Sequence, residues 1–428
     1  MSKRRITVTA TAASLLAVGA LVGSAISPAD ADIAPQKNDV VGVGSDVVQN
    51  ALDFLADGLG KTKGFNETKA AKKWRVFNFD ASGDANGTAT NNATIVLEAG
   101  GNTYNRPKGG SDGLAALEND GSNGTSAGLI DFARTPSALT ATDEANAVAN
   151  LGTHLDWVTL ATDTDYIAVT KSTNAPSTLS PQALFAIYTG TYDGSPVTTW
   201  GELAATGLVA GWTPKSGTAN NKILAFYPQN GAGMQKVFLS GLASANGGTA
   251  PAATALVNGY QVKQNDPTTL VDPSKAVDNT GKSYGFSASQ ADDVIVPLPL
   301  SKYALFSQGY YNDGSKPYSA ADGSQSPVSV SNVQLLQSAG NFTATVQFNV
   351  AFRDADYTAS DTKKQWQPGS RLNWVHTLFY NPKYNPAKKK NKVAAPFAFS
   401  KPYQKLLKSL GLTPIPYSAA FHSYSEAK

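Results

Sequence analysis

The sequence predicts an α/β protein with mainly parallel sheets, and three observations carry that prediction. Apolar runs of strand length alternate with segments of helical period. The 428 residues suffice for two or three domains with sizeable cores. No short repeat recurs along the chain, which excludes solenoids and propellers.

The elements follow in chain order. Lys3, Arg4 and Arg5 precede a weakly apolar run from Ile6 to Ile26, and Ala29-Asp30-Ala31 satisfies the small-x-small cleavage rule. Residues 1–31 therefore read as a signal peptide. The run is diluted by Thr, Ser, Ala and Gly and meets a polar segment, which argues against a retained membrane helix. The mature chain is expected to be secreted or extracytoplasmic, with no lipid-anchor cysteine. Asp39–Gly44 reads as a buried strand, followed by a helix carrying Val48, Leu52, Leu55 and Leu59. Arg75–Asp80, Ala93–Ala99 and Gly128–Arg134 are further strands, and Asp156–Thr170 contains a long one. Ser180-Pro181 opens a helix that Gly190 stops, with Leu184, Ile187 and Tyr188 on one face. Lys222–Tyr227 and Asp293–Leu298 are later strands, and Gly309–Pro327 reads as an exposed loop. The final Pro-, Tyr- and Lys-rich stretch reads as an appendage outside the core.

Composition excludes several functions. With no cysteine, the chain has no disulfide framework, thiol nucleophile or thiolate metal site. His154, His376 and His422 lie far apart, outside any metal-binding spacing, and no G-x-S-x-G elbow occurs. Asp292-Asp293 and Asp163/Asp165 read as loop or strand-end acids. No enzyme, metal or cofactor is expected. The net charge of +3 gives no signature of nucleic-acid binding. Cleavage of the leader leaves +1, unevenly spread: residues 371–428 carry ten basic side chains and one acid, so the preceding body is −8. A solvated lysine face explains this simply, and attachment to an anionic cell-envelope polymer is the sharper reading.

Three glycine-bearing junctions lie where strands hand over to helices. The first is Gly42-Val43-Gly44-Ser45-Asp46, where Asp46 and Gln49 have capping-box spacing. The second is Arg106-Pro107-Lys108-Gly109-Gly110-Ser111-Asp112, before a helical pattern through Leu114 and Leu117. The third is Pro228-Gln229-Asn230-Gly231-Ala232-Gly233-Met234, before a helix carrying Val237 and Phe238. Glycine lets backbone N–H groups approach a ligand, and the positive end of a helix favours an anion. Asp131 to Arg134 closes a further strand, where ligands of open α/β sheets bind. The plainer alternatives are ordinary caps for the junctions and a local anchor for Asp131–Arg134.

These segments resemble the extracytoplasmic phosphate-binding proteins of ABC importers. The likeness runs through GVGSD at 42–46, YNRPKGGSDG at 104–113, IDFART at 130–135 and LSPQALFAIYTG at 179–190. TTWGEL at 198–203, PQNGAGMQKVFLSGL at 228–242, QNDPTTLV at 264–271 and IVPLPLSKY at 295–303 continue it in order. The resemblance implies a type 2 periplasmic-binding-protein fold, α/β with two lobes and a ligand cleft between them. It divides the chain into lobe 1 at residues 36–160, lobe 2 at 161–290 and a lobe 1 return at 291–370, and fades beyond about Asn341; residues 371–428 read from their composition as a basic extension. Hinges are expected near 155–165 and 285–297. It further implies capture of phosphate or a related oxyanion for an ABC permease, by a monomer. Gly44, Ser45, Asp46, Arg106, Gly110, Ser111, Asp131, Arg134, Asn230, Gly231 and Gly233 are the candidate ligand-binding residues, Asp131 as acceptor for the ligand's proton. In the third loop Pro228, Ala232 and Met234 stand where the family typically has Arg, Ser and Thr. Each lost hydrogen bond to a charged ligand is worth about 1.5–3 kcal/mol. A secreted or surface binding protein of the same fold, recruited away from transport, is the alternative.

Overall fold

The computed structural model describes residues 34–79, 81, 94–107, 109–120, 128–230, 232–262, 268–278, 280–307, 330–359, 373–388 and 393–423. Residues 1–31, expected to be a signal peptide, and Gly309–Pro327, expected to be a loop, lie outside these residues. Strand β1 (Val40–Gly44) is buried throughout and leads into α1 (Asp46–Asp57). Then come β2 (Val76–Asn78), α2 (Gly110–Glu118), β3 (Phe132–Thr135) and α3 (Ala141–Leu151). The 16-residue β4 (Leu155–Thr170) carries the chain onward. Next are α4 (Pro181–Thr189), α5 (Trp200–Ala205), β5 (Leu224–Pro228) and α6 (Gly233–Gly241). β6 (Gly259–Val262), α7 (Thr268–Val271), β7 (Val294–Pro299) and α8 (Leu300–Ser307) follow. The last part holds β8 (Val333–Leu335), β9 (Thr343–Arg353), α9 (Asp354–Ala359), α10 (Trp374–Leu378) and α11 (Lys401–Ser409). Two short strands end it, β10 (Thr413–Pro414) and β11 (Phe421–Ser423).

The eleven strands form one sheet, ordered β6-β5-β7-β4-β9-β3-β1-β2, with β8, β10 and β11 also paired to β4. It contains two parallel blocks of three strands, β2-β1-β3 and β6-β5-β7. Between them β4 and β9 run antiparallel, from Thr343 opposite Tyr166 to Arg353 opposite Leu155, with a register shift at Phe348/Asn349. At one end of this pair, Ile167 and Val169 join a core with Leu184, Ile187, Trp200 and Phe238. At the other, Val158 and Leu160 join Val48, Leu52, Phe132 and Trp374. Two lobes therefore share two long strands, and apolar burial on each holds its own parallel block.

Several expectations need correction. The second crossover is β9, not 285–297, because Val294, Val296 and Leu298 pack with Leu224 and Phe226 in the second lobe. The C-terminal stretch is no appendage. Tyr403, Leu406, Leu407 and Leu410 occupy one face of α11 and its end and are buried in the first lobe's core, while Lys401, Lys405 and Lys408 face solvent. The Tyr403 hydroxyl donates to the Ala51 carbonyl at 2.7 Å, and β10 and β11 pair with β4. Part of the basic charge is thus the wet side of an amphipathic helix. Asp163 and Asp165 are buried within β4 rather than at a strand end. The capping box does not form: Ser45 is the N-cap of α1, and Gln49 Oε1 accepts from the Ala81 N–H at 3.0 Å.

Candidate functional site

The sheet brings the junctions together because β1, β3 and β5 each end where a helix or loop begins. Gly42, Val43 and Gly44 lie beside Phe132, Ala133 and Arg134, so β1 and β3 finish at the same level. Gly44 has φ 110°, a conformation glycine adopts without strain. A Cβ built on Gly113, in the first turn of α2, would stand 2.5 Å from Gly44 Cα. One built on Gly110 would stand 2.6 Å from Pro136 Cδ, and one on Gly233 would stand 2.7 Å from Pro136 Cγ. The starts of α2 and α6 therefore both abut the Pro136 ring. Lys236, in the first turns of α6, donates from Nζ to Ser111 Oγ at 2.9 Å, joining the two helices.

The helix starts that meet here lack side-chain caps. Ser45, Gly109 and Ala232 are the N-caps of α1, α2 and α6, and none accepts a capping hydrogen bond. The first-turn N–H groups of a helix have no acceptor within it, so these three present donors and positive dipole ends. Ser45 is fully buried; its N–H donates to the Arg134 carbonyl at 3.1 Å, and its Oγ has no partner among the described residues. Asp46 occupies the first turn of α1, where its charge complements the helix dipole.

Other candidates are structural. Arg134 is fully buried, and its guanidinium donates to the carbonyls of Ser45 at 3.0 Å, Gly44 at 2.7 Å and Phe79 at 2.7 Å, and to Asn78 Oδ1. It clamps the turns after β1 and β2 instead of facing a ligand. Asp131 precedes the first residue of β3: Oδ2 accepts from the Val41 N–H at 2.8 Å, and its own N–H donates to the Val41 carbonyl at 2.8 Å. It stands three residues before Arg134, about 10 Å down the strand at 3.3 Å per residue. Asp131 thus anchors the start of β3 to β1. Arg106 is buried in the segment leading into α2. Asn230 is held by Gln235 Nε2 at 3.1 Å and Gln261 Nε2 at 3.0 Å on its Oδ1, which fixes the third loop. Gly231 lies outside the described residues. Met234 is buried in the first lobe's core, so its side chain is spent on packing.

Sequence reasoning missed Pro136 and Lys236. Pro136 had a signal, since it directly follows a strand whose end lies beside a candidate loop. Lys236 had none. It reaches Ser111 only because the fold brings two helices 125 residues apart into contact.

A two-lobed α/β chain with helix starts converging between its lobes has the architecture of a solute-binding protein. The chain belongs to the PBP superfamily, whose domain it matches over residues 35–321. Members of this family are substrate-binding proteins rather than enzymes. Among solved structures, it is similar to an ABC-type phosphate transport receptor from Vibrio cholerae at 14% identity, covering 88% of this chain and 100% of that one, with a TM-score of 0.42. It is similar at 12% identity to a phosphate-binding protein from Stenotrophomonas maltophilia, covering 89% and 91%, with a TM-score of 0.43. A human phosphate-binding apolipoprotein shares 14% identity over 89% and 92%, with a TM-score of 0.44. A comparison with curated proteins finds no match. Among the described residues no helix is long and apolar enough to cross a membrane, and no acid or histidine cluster could hold a metal.

Proposed function

We propose that the protein is an exported solute-binding protein that captures phosphate or a related small oxyanion and delivers it, as a monomer, to an ABC permease. One observation carries this reading: three uncapped helix starts from separate parts of the chain come together, those of α2 and α6 on Pro136 and that of α1 against α2 through Gly44 and Gly113. The backbone N–H groups at the starts of α2 and α6, those of Gly110-Ser111 and Gly233, are the donors assigned to the ligand. Free donors and aligned dipoles of this kind recognise negative charge without a metal. Ser45 Oγ adds a buried hydroxyl that an oxyanion would satisfy.

A second reading has its own observation. The Pro136 ring abuts both Gly110 and Gly233, while Ala232 and Met234 contribute no hydroxyl, so apolar groups occupy part of an otherwise anion-favouring site. This favours a non-transport binding protein of the same fold, with the exposed lysines of α11 facing an anionic envelope polymer. Calorimetry of the mature protein against phosphate and sulfate separates the readings. Anion binding that weakens in Ser45→Ala supports capture. Absence of binding to either anion, with cell-associated protein released by moderate salt, supports recruitment.

A further inference from the structure

We propose that Lys236 supplies the positive charge that meets the anion, acting with the Ser111 hydroxyl from the opposite lobe. This rests on the oxyanion reading and names the residue that sets its charge preference. Of the other cations with a claim, Pro228 stands where the resemblance implies an arginine, Arg134 is spent on three carbonyls and Asn78, and Arg106 is buried in the segment leading into α2, whereas Lys236 is exposed at the start of α6. Lys236 is exposed, and among the described residues it joins no carboxylate. Its one hydrogen bond goes to Ser111, at the start of α2, and bridges the gap beside Pro136. An ammonium has three donors, so two remain for a ligand. Ser111 Oγ accepts from Lys236, which leaves its own proton to donate. The buried, unpartnered Ser45 Oγ at the neighbouring helix start is an independent mark of an unfilled polar site.

The test is calorimetric titration of the mature protein with inorganic phosphate and with sulfate at two salt concentrations. Wild type is compared with Lys236→Met and Lys236→Arg. Lys236→Met is expected to bind at least about tenfold more weakly, the loss of one charge-assisted hydrogen bond, and to show a smaller salt dependence. Lys236→Arg is expected to stay within about threefold of wild type, since the charge persists. The side chain is exposed, so melting temperatures should agree among all three proteins. If wild type binds and Lys236→Met binds equally well, the assignment to Lys236 is overturned while the oxyanion reading stands. If wild type binds neither anion, the oxyanion reading itself fails and takes the assignment with it.

Discussion

The helices on the outside of the lobes begin differently from those that meet between them. In α3, Thr140 Oγ1 accepts from the Asp143 N–H at 3.3 Å while Asp143 accepts from Thr140 N at 2.6 Å. In α4, Ser180 Oγ accepts from the Ala183 N–H at 3.1 Å, with Pro181 at the first helical position. In α5, Thr199 and Glu202 form a capping box, and hydrogen bonds, first from the Thr198 backbone, lower the Glu202 carboxyl below its usual range. The starts of α3, α4 and α5 spend N–H groups on N-cap side chains, whereas the N-caps of α1, α2 and α6 accept none. Helices α10 and α11 also lack side-chain caps, so a missing cap alone marks no site. Contact among three such starts, two of them on Pro136 and the third on Gly113 through Gly44, is the distinguishing feature. Local sequence satisfies a helix that only has to be stable, and leaves donors open in one that has to meet something else.

Helix α8 offers a third case, and the largest expected effect. Asp163 of β4 accepts from the Ser301 N–H at 3.3 Å, so a carboxylate from another element serves this helix start. Burial raises the Asp163 carboxyl to about 6, opposed by hydrogen bonds from Ser301 and Thr164 and by the Lys302 charge. Burial, and secondly the charge of Asp163, raise Asp165 well above its usual range. Between about pH 4 and 6 the folded chain then binds more protons than the unfolded one. Stability should fall as pH rises through that window, by about 3 kcal/mol from Asp163. Denaturant melts of Asp163→Asn against wild type should show a flatter pH profile, and an unchanged slope would refute the assignment.

At the inner starts, Gly233→Val should force a methyl group into the Pro136 ring. We expect about 1–3 kcal/mol of destabilisation together with loss of anion binding, read by chemical denaturation and calorimetry. Asp131→Ala should cost a similar 1–3 kcal/mol through the unsatisfied Val41 N–H. Unlike Gly233→Val, it should leave anion affinity unchanged, and a loss of affinity would return Asp131 to the site. Removing an outer cap by Thr199→Ala should cost about 1 kcal/mol with no effect on binding. Ser45→Ala should change stability least, because its hydroxyl has no partner to lose, yet it should weaken binding. If the two cap variants behave alike, the contrast between inner and outer starts is wrong.

Much of the fold was legible in the residues. Ser180-Pro181 and Gly190 bound α4 as expected, and the long strand over residues 156–170 is β4. Asp131 shows where motif reading runs out: matching IDFART locates a strand without saying which of its residues lies at the ligand end. The C-terminal segment erred for another reason. Its pattern of Tyr403, Leu406, Leu407 and Leu410 was present, but prolines and lysines concealed a nine-residue helix whose apolar face needs a partner.

The sequence by itself determined the strand and helix periods, the glycine turns and the absence of side-chain caps at Gly109 and Ala232, because these depend on neighbours within a few residues. Tertiary structure alone decided that Pro136 abuts two helix starts, that Arg134 is committed to backbone carbonyls and that Lys236 reaches Ser111. Those contacts join segments from 26 to 125 residues apart in the chain. They form only because burying two apolar cores fixes how the lobes meet along β4 and β9.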